Sequence, residues 1–549
     1  MKKSTQNFNK SPLIFIIIKY LANIAKQELF LIILCFILLI VSFFINLGAQ
    51  PLLLEEPRRA IIALEMIFNK NLVVPTELGE FYYNKPPLWN WMIIFSFKLF
   101  GNYSEFAVRF FTVVSLLIMG LLVFLAGKKF VNLKFGVYSS LLLLISIDLY
   151  FYYSNLGEID IFYSLITFSS FLVLFVFYEN KKFLFLFLSF YFLGALGFLT
   201  KGLPTIAFTG ISIIAFFIYN KEFKRLFCWQ HFLGILIFIG VIAGYFYLYS
   251  RHNNVKLYLS ELISQASGRT TGATKDRAFI EHFLIFPFET LKNLLPCAIF
   301  IVYIFRKKFI RTIKENRLIE TFMLLFLVNI LLYWFSPGTR QRYIYMLFPL
   351  IISVITYFYV KFRYNDKIKD LIVDYCMGIT IAFLILISFS LPIIPLLNQF
   401  RGMILLSIIS LLILGRLLYI FLRNKHLRLI SFILAMIILR FIYNFTVLPY
   451  RTHDSRAQVL KDTALQIHKL TNGFPLYIYK KSNCPNNYVY YLERERQKIL
   501  VRKSKLTENE YYIVNAGYKI LKPHKIIYDF TDGKGNTSYL IKITADENI

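Results

Sequence analysis

Acidic residues are scarce in this chain. Only 31 of its 549 residues are Asp or Glu, against 61 Lys or Arg, giving a formal net charge of +30. Charged residues of either sign make up 17%, where an ordinary soluble domain has roughly 25%. That deficit, with 57% hydrophobic residues, excludes a soluble globular enzyme and equally a disordered chain. Cysteine is scarce too. Cys35, Cys297 and Cys376 fall in long apolar runs, Cys228 lies beside a basic loop, and Cys484 stands alone near the C-terminus. No pair makes a plausible disulfide, and no Cys/His spacing resembles a zinc site. What is abundant is Phe, with 59, and Tyr, with 37. A strong basic excess often points to nucleic acid. In so apolar a chain it points to a membrane, where Lys and Arg mark cytoplasmic loops.

Apolar runs long enough to span a bilayer, about 20 residues each, begin at Leu29–Leu47. Others centre on 107–127, 134–153, 160–178, 183–199, 203–220, 231–250, 288–305, 319–335, 343–360, 371–393, 402–421 and 427–449, about thirteen in all. Pro12–Ile18 is apolar but short, lacks a cleavage site, and reads as an interfacial helix leading into the first span. Basic clusters occur at the N-terminus, Lys128/Lys129, Lys181/Lys182, Lys221–Arg225, Arg306–Arg317, Lys361–Lys369 and Arg423–Arg428. All fall on one side if the N-terminus is cytoplasmic, which is the positive-inside pattern. An odd number of spans then places the C-terminus outside. Residues 1–449 read as the transmembrane domain and 450–549 as a small external α+β domain. In the latter a helix (Ser455–Leu470) precedes strands at Pro475–Tyr479, Tyr488–Leu492, Tyr511–Val514, Lys525–Phe530 and Ser538–Ile543, with turns at Asn472-Gly473 and Asp532-Gly533.

The polar residues of the external loops carry the chemistry. The first loop, about 48–106, opens with Leu54-Glu55-Glu56-Pro57-Arg58-Arg59-Ala60. A helix is expected after Pro57 through about Asn69, with Arg58, Ile62 and Glu65 on one face. Tyr82-Tyr83-Asn84-Lys85-Pro86-Pro87 then leads into a helix over Leu88–Phe100. Later external turns contain Glu158-Ile159-Asp160, Lys201-Gly202 and Arg340-Gln341-Arg342. Each has a plainer explanation: Glu55 and Glu56 as a solvated helix start, Asp160 as an N-cap, Lys201 as a snorkelling lysine. Arg340 and Arg342 run against the charge bias of their side and invite an anionic partner. Together the acids and cations suit an enzyme that handles a lipid phosphate and activates a nucleophile.

These residues resemble a known family. Glu-Glu-Pro-Arg-Arg-Ala, then Asn71-Leu72-Val73-Val74-Pro75, then Asn84-Lys85-Pro86-Pro87-Leu88 is similar to the aminoarabinose (lipid A) transferase branch of the protein O-mannosyltransferase superfamily. Those enzymes are integral membrane GT-C glycosyltransferases. Lys201-Gly202-Leu203-Pro204 and Arg342-Tyr343 through Pro349 also resemble family motifs. The resemblance implies inverting transfer of a sugar from a polyprenyl-phosphate carrier to a lipid, glycan or protein acceptor on the external face of the bacterial inner membrane. It implies catalytic roles for Glu55 and Asp160. It places Lys85, Arg269 and Arg58 at the donor phosphate, with Lys201, Arg340 and Arg342 as further anion-binding residues.

There are departures. Glu55 replaces an aspartate, and Arg59 replaces a tyrosine. Asn84 stands where the aminoarabinose enzymes carry a glutamate that helps bind a metal. His252 and His282 are the only histidines near their partnering histidine. A divalent metal is compatible with the family's chemistry, but its usual ligands are unmatched, and no cofactor or nucleic acid is assigned. The rival reading is a transporter or lipid flippase, which predicts ionisable groups at mid-span and broken helices in paired repeats.

Overall fold

The computed structural model describes residues 12–271, 276–398, 402–453, 455–531 and 535–544. The chain packs as two compact units, one running to Ile45 and resuming at Asp366–Thr446, the other comprising Asn46–Asn365 and Val447–Ile549.

The first unit is helical. Pro12–Phe44 contains neither glycine nor a second proline, and it runs as one unbroken helix. The expected interfacial segment at Pro12–Ile18 is thus continuous with the first span. Lys367–Ser390, Met403–Arg423 and Arg428–Phe445 complete the unit. Small polar residues join these helices: Asn444 Nδ2 donates to the Ser42 carbonyl at 2.7 Å, and Ser407 Oγ to the Ser388 carbonyl at 2.7 Å. Such bonds satisfy groups that lipid cannot.

Among the described residues of the whole chain, ten helices are long and apolar enough to cross a membrane. Two bent pairs raise this to 12: Leu133–Leu144 with Asp148–Asn155 (55°) and Phe279–Asn293 with Cys297–Tyr303 (108°). The remaining expected span is the apolar helix Pro204–Tyr219, which at 16 residues is shorter than the rest. The protein is a polytopic, α-helical membrane protein.

Between Phe44 and the span Glu105–Phe130 lies the first long loop. Its helix Glu56–Phe68 has proline in the first turn, where a missing N–H costs nothing. Leu54 just before it adopts φ +54°, turning the chain into the helix. A hairpin of β1 (Thr76–Glu77) and β2 (Glu80–Phe81) follows, then the helix Leu88–Phe100.

Among its described residues the C-terminal part contains helix Arg456–Thr471 and five strands: β3 (Leu476–Tyr479), β4 (Arg502–Lys503), β5 (Tyr511–Asn515), β6 (His524–Thr531) and β7 (Thr537–Ile543). Their order is β4-β3-β5-β7-β6. β3 runs parallel to both neighbours, and β7 is antiparallel to β5 and β6. Both sheet faces are covered. Ile478, Ile513 and Leu540 pack with Leu460, Ala464 and Tyr488, while Tyr512, Val514 and Ile541 pack with Leu506.

The expected strand at Tyr488–Leu492 is instead the middle of a helix, Asn486–Arg496. Its aromatic residues favour strands locally. Packing overrides that preference: the helix docks on Glu56–Phe68, where Tyr491 Oη accepts from Leu52 N at 3.0 Å and Tyr490 Oη donates to the Tyr103 carbonyl at 2.6 Å. The expected turn at Asn472-Gly473 is present, with Gly473 at φ +83°. The one at Asp532-Gly533 lies outside the described residues.

A candidate active site with a polar and an apolar chamber

A buried ion pair anchors the first loop. Arg109, in the first turns of its span, donates to the carbonyls of Leu47, Gln50 and Pro51 at 2.8–2.9 Å and pairs with Glu56 at 3.0 Å. Both side chains are fully buried, so Glu56 is not the solvated helix start that its sequence suggests. Glu56 Oε1 also accepts from Gly157 N at 2.9 Å, and the Gly157 carbonyl accepts from Trp89 Nε1 at 3.1 Å. A Cβ on Gly157 would lie 2.5 Å from Val108 Cγ1, so only glycine permits this approach. Three segments of the sequence are thereby fixed around one point.

Beside that point lies a polar cavity of about 330 Å³. Seven residues singled out in the sequence line it: Glu55, Arg58, Lys85, Asp160, Lys201, Arg340 and Arg342. Glu55 sits at the start of the loop helix, held by Arg58 at 2.7 Å, and Arg58 is steadied by Glu77 at 3.1 Å. Asp160 is in the first turn of its span. Its Oδ1 lies 2.6 Å from Lys201 Nζ and its Oδ2 3.6 Å from Arg342 Nε. Lys201 therefore does not snorkel. It is buried against the rings of Tyr163 and Tyr343. Its helix ends there because Gly202 takes φ +82°. Arg342 also pairs with Glu158, while Arg340 is exposed. Lys85 is half-buried, and Tyr258 Oη donates to its carbonyl at 2.9 Å. Arg269 lies on the helix Val255–Thr271, but its side chain is outside the described residues.

A second cavity, of about 320 Å³, adjoins the first. Leu203, Pro204, Ala207, Phe208, Leu262 and Leu332 make its wall mostly apolar. Lys85, Lys201, Gly338 and Tyr343 line both cavities. A charged chamber thus opens beside a greasy one, with two lysines at the junction.

Sequence reasoning gave no site role to four contributors. Arg59 and Tyr82 line the polar cavity and hydrogen-bond at 2.9 Å; Tyr343 lines both chambers; Glu158 stands behind Arg342. Glu158 is two residues before Asp160, a spacing that on its own reads as loop. Burial and the neighbouring Asp160 carboxylate push Glu158 up to about 7, against the pull of Arg342.

The described residues of the site form no cluster for a divalent metal. Asn84 presents an amide to the cavity, and His282 Nε2 lies 3.1 Å from the Tyr333 carbonyl. Among the described residues no group of three or more His, Cys, Asp or Glu is placed to hold an ion.

The class that the fold defines is a polytopic, α-helical membrane protein with a small C-terminal α+β part. The family model described as dolichyl-phosphate-mannose-protein mannosyltransferase matches residues 84–247. The chain is similar to undecaprenyl phosphate-alpha-4-amino-4-deoxy-L-arabinose arabinosyl transferase 1 of Proteus mirabilis, with 33% identity over 190 residues. A second such transferase of that organism is 38% identical over 74 residues. The first match spans about a third of each protein, 33% of this chain and 33% of the relative. Across nearly the whole chain the fold is that of ArnT from Cupriavidus metallidurans bound to undecaprenyl phosphate. The TM-score is 0.68 with 17% identity, covering 93% of this chain and 98% of that one. Its apo state gives a TM-score of 0.67 at 15% identity.

Proposed function

We propose that this chain is a membrane glycosyltransferase that moves a sugar from a polyprenyl-phosphate carrier to an acceptor at the external membrane surface. The observation that carries this reading is the shared wall of the two chambers. A polyprenyl-phosphate sugar has an apolar tail, a phosphate and a polar ring in that order, and the apolar wall, the lysine junction and the polar cavity follow the same order. The transporter reading asks for ionisable groups at mid-span, whereas Asp160, Lys201 and Arg342 all stand at the ends of their spans.

Glu55 is the better base. It is 40% exposed to the cavity, while Asp160 is 3% exposed and held by Lys201 and Arg342. In the step that follows, the acceptor oxygen bonds to the anomeric carbon as the carbon–phosphate oxygen bond breaks. The acceptor proton passes to Glu55, and polyprenyl phosphate leaves. Lys85 meets the charge growing on that phosphate. A single displacement inverts the anomeric centre. Asp160 orients Lys201 and Arg342 along the same wall. The basic loops orient the chain with its N-terminus cytoplasmic and this site external.

The test is transfer of a mass-tagged sugar from an undecaprenyl-phosphate donor by the purified protein. Transfer that is lost in both Glu55→Gln and Lys85→Ala supports the reading. Full activity in Glu55→Gln removes Glu55 from the base role.

A further inference from the structure

Glu158 is built in an unusual way. One carboxylate oxygen pairs with Arg342 Nη1, and the other, Oε1, is buried with no hydrogen-bond partner among the described residues. The side chain is 3% exposed and does not line either cavity. The groups that face it are Asp160 and Arg342, with Glu56 and Arg59 beyond, and the hydroxyls of Tyr152 and Tyr153. Arg342 does line the polar cavity, and its Nε reaches toward Asp160.

These contacts make a small charge circuit of two cations and two carboxyls. With Glu158 ionised, Lys201, Arg342, Asp160 and Glu158 sum to zero. With Glu158 protonated they sum to +1, and Arg342 is released toward the cavity. We infer that Glu158 is a positioning residue that takes up a proton when a phosphate dianion binds beside Arg342, and that it thereby matches the charge of the site to its ligand. This rests on the carrier-phosphate reading above and extends it. The donor is a phosphodiester with one negative charge, and the departing carrier is a monoester with up to two. A site that gains a proton as the second charge develops favours the product side of the step and releases the carrier as that proton is lost. The unpartnered Oε1 is the atom that holds the proton. A carboxyl raised to about 7 by burial and by Asp160 exchanges it in the physiological range.

The experiment is undecaprenyl phosphate binding to the purified full-length protein in detergent between pH 5.5 and 8.5, for the wild type, Glu158→Gln and Glu158→Asp. The phosphate itself titrates near 6, as phosphomonoesters do, so the variants supply the reference. Uptake of one proton makes wild-type affinity fall by up to about tenfold per pH unit above neutrality. Glu158→Gln is expected to lose that slope and Glu158→Asp to keep it. An identical slope in wild type and Glu158→Gln overturns the inference. A second readout does not depend on the ligand. The difference between infrared pH titrations of wild type and Glu158→Gln, in which the other raised carboxyls cancel, should show one protonated-carboxyl band that disappears near neutral pH. If the wild type binds no polyprenyl phosphate at any pH, the proposed function fails. The infrared difference then still decides whether Glu158 holds the proton: no difference band between the two proteins overturns that too.

Discussion

Lys201 Nζ lies 2.6 Å from Asp160 Oδ1, and neither side chain is more than 5% exposed. The pair joins the last residue of one span to the first turn of another. A buried pair is costly to break from one side because the remaining charge stays uncompensated, at about 3–5 kcal/mol. Arg342 Nε at 3.6 Å offsets part of this for Asp160. Lys201→Met is therefore expected to lower the melting temperature more than the double variant Asp160→Asn/Lys201→Met does. Thermal unfolding of the three proteins in one detergent checks this. A Lys201→Met protein as stable as the wild type would show that the pair contributes nothing.

Glu55 differs from Asp160 in its exposure, 40% against 3% of the side chain. Loss of a general base typically costs on the order of 10²–10⁴ in rate. Glu55→Gln is expected to reduce kcat by that order while leaving carrier-phosphate binding within about twofold, because no phosphate contact is assigned to Glu55. Lys85→Ala is expected to behave in the opposite way, weakening carrier binding as well as turnover. Steady-state kinetics with a polyprenyl-phosphate donor, alongside direct binding, separates the two.

How far the sequence reaches depends on what sort of signal each feature leaves. The apolar helices leave long runs, and their positions are legible. The loop helix after Pro57 and the helix Leu88–Phe100 are legible from proline and periodicity. Seven of the eight singled-out site residues line one cavity, because they lie in the first long loop and at span ends that face the same way in the charge alternation. Pairing leaves no such trace. Nothing near Glu56 announces Arg109, 53 positions away, or near Asp160 announces Lys201, 41 positions away. For that reason Glu56 reads as solvated and Lys201 as snorkelling, when both are buried partners. Tyr488–Leu492 reads as a strand for a related reason: its tyrosines are chosen for a helix, Asn486–Arg496, that docks on the loop, and that contact is distant in sequence.

Arg109 is the hub of the first loop. Its guanidinium serves three carbonyls and the Glu56 carboxylate with 1% of the side chain exposed. Lysine cannot reproduce that planar fork, and methionine leaves Glu56 charged and buried. Both Arg109→Lys and Arg109→Met are expected to destabilise the protein, Arg109→Met by about 3–5 kcal/mol, with loss of activity following loss of the loop. Limited proteolysis of residues 46–104 together with melting temperature measures this. Wild-type resistance in Arg109→Met would rule out the hub role.

The docked helix Asn486–Arg496 brings a second carboxyl pair into play. Glu493 faces Glu65 of the loop helix, and both are fully buried. Glu65 accepts from Gly79 N at 3.2 Å and Glu493 from Leu500 N at 3.0 Å. Burial raises both, and the neighbouring Glu65 pushes Glu493 further, well above the ordinary carboxylate range. The folded protein thus holds protons that the unfolded chain, with carboxyls near 4.3, releases. Stability is full on the acid side and is lost as the pH rises from the unfolded toward the folded value. The slope is at most about 1.4 kcal/mol per pH unit for each proton held. Glu493→Gln keeps an acceptor for Leu500 N and removes the second carboxyl. It is expected to melt close to the wild type at pH 5, to melt higher than the wild type at pH 8, and to show a shallower decline between them. Melting curves of the two proteins from pH 5 to 9 in one buffer series test this. Other titrating groups, Glu158 among them, are common to both, so the difference between the slopes isolates the pair. Parallel curves would mean that Glu65 and Glu493 share no proton.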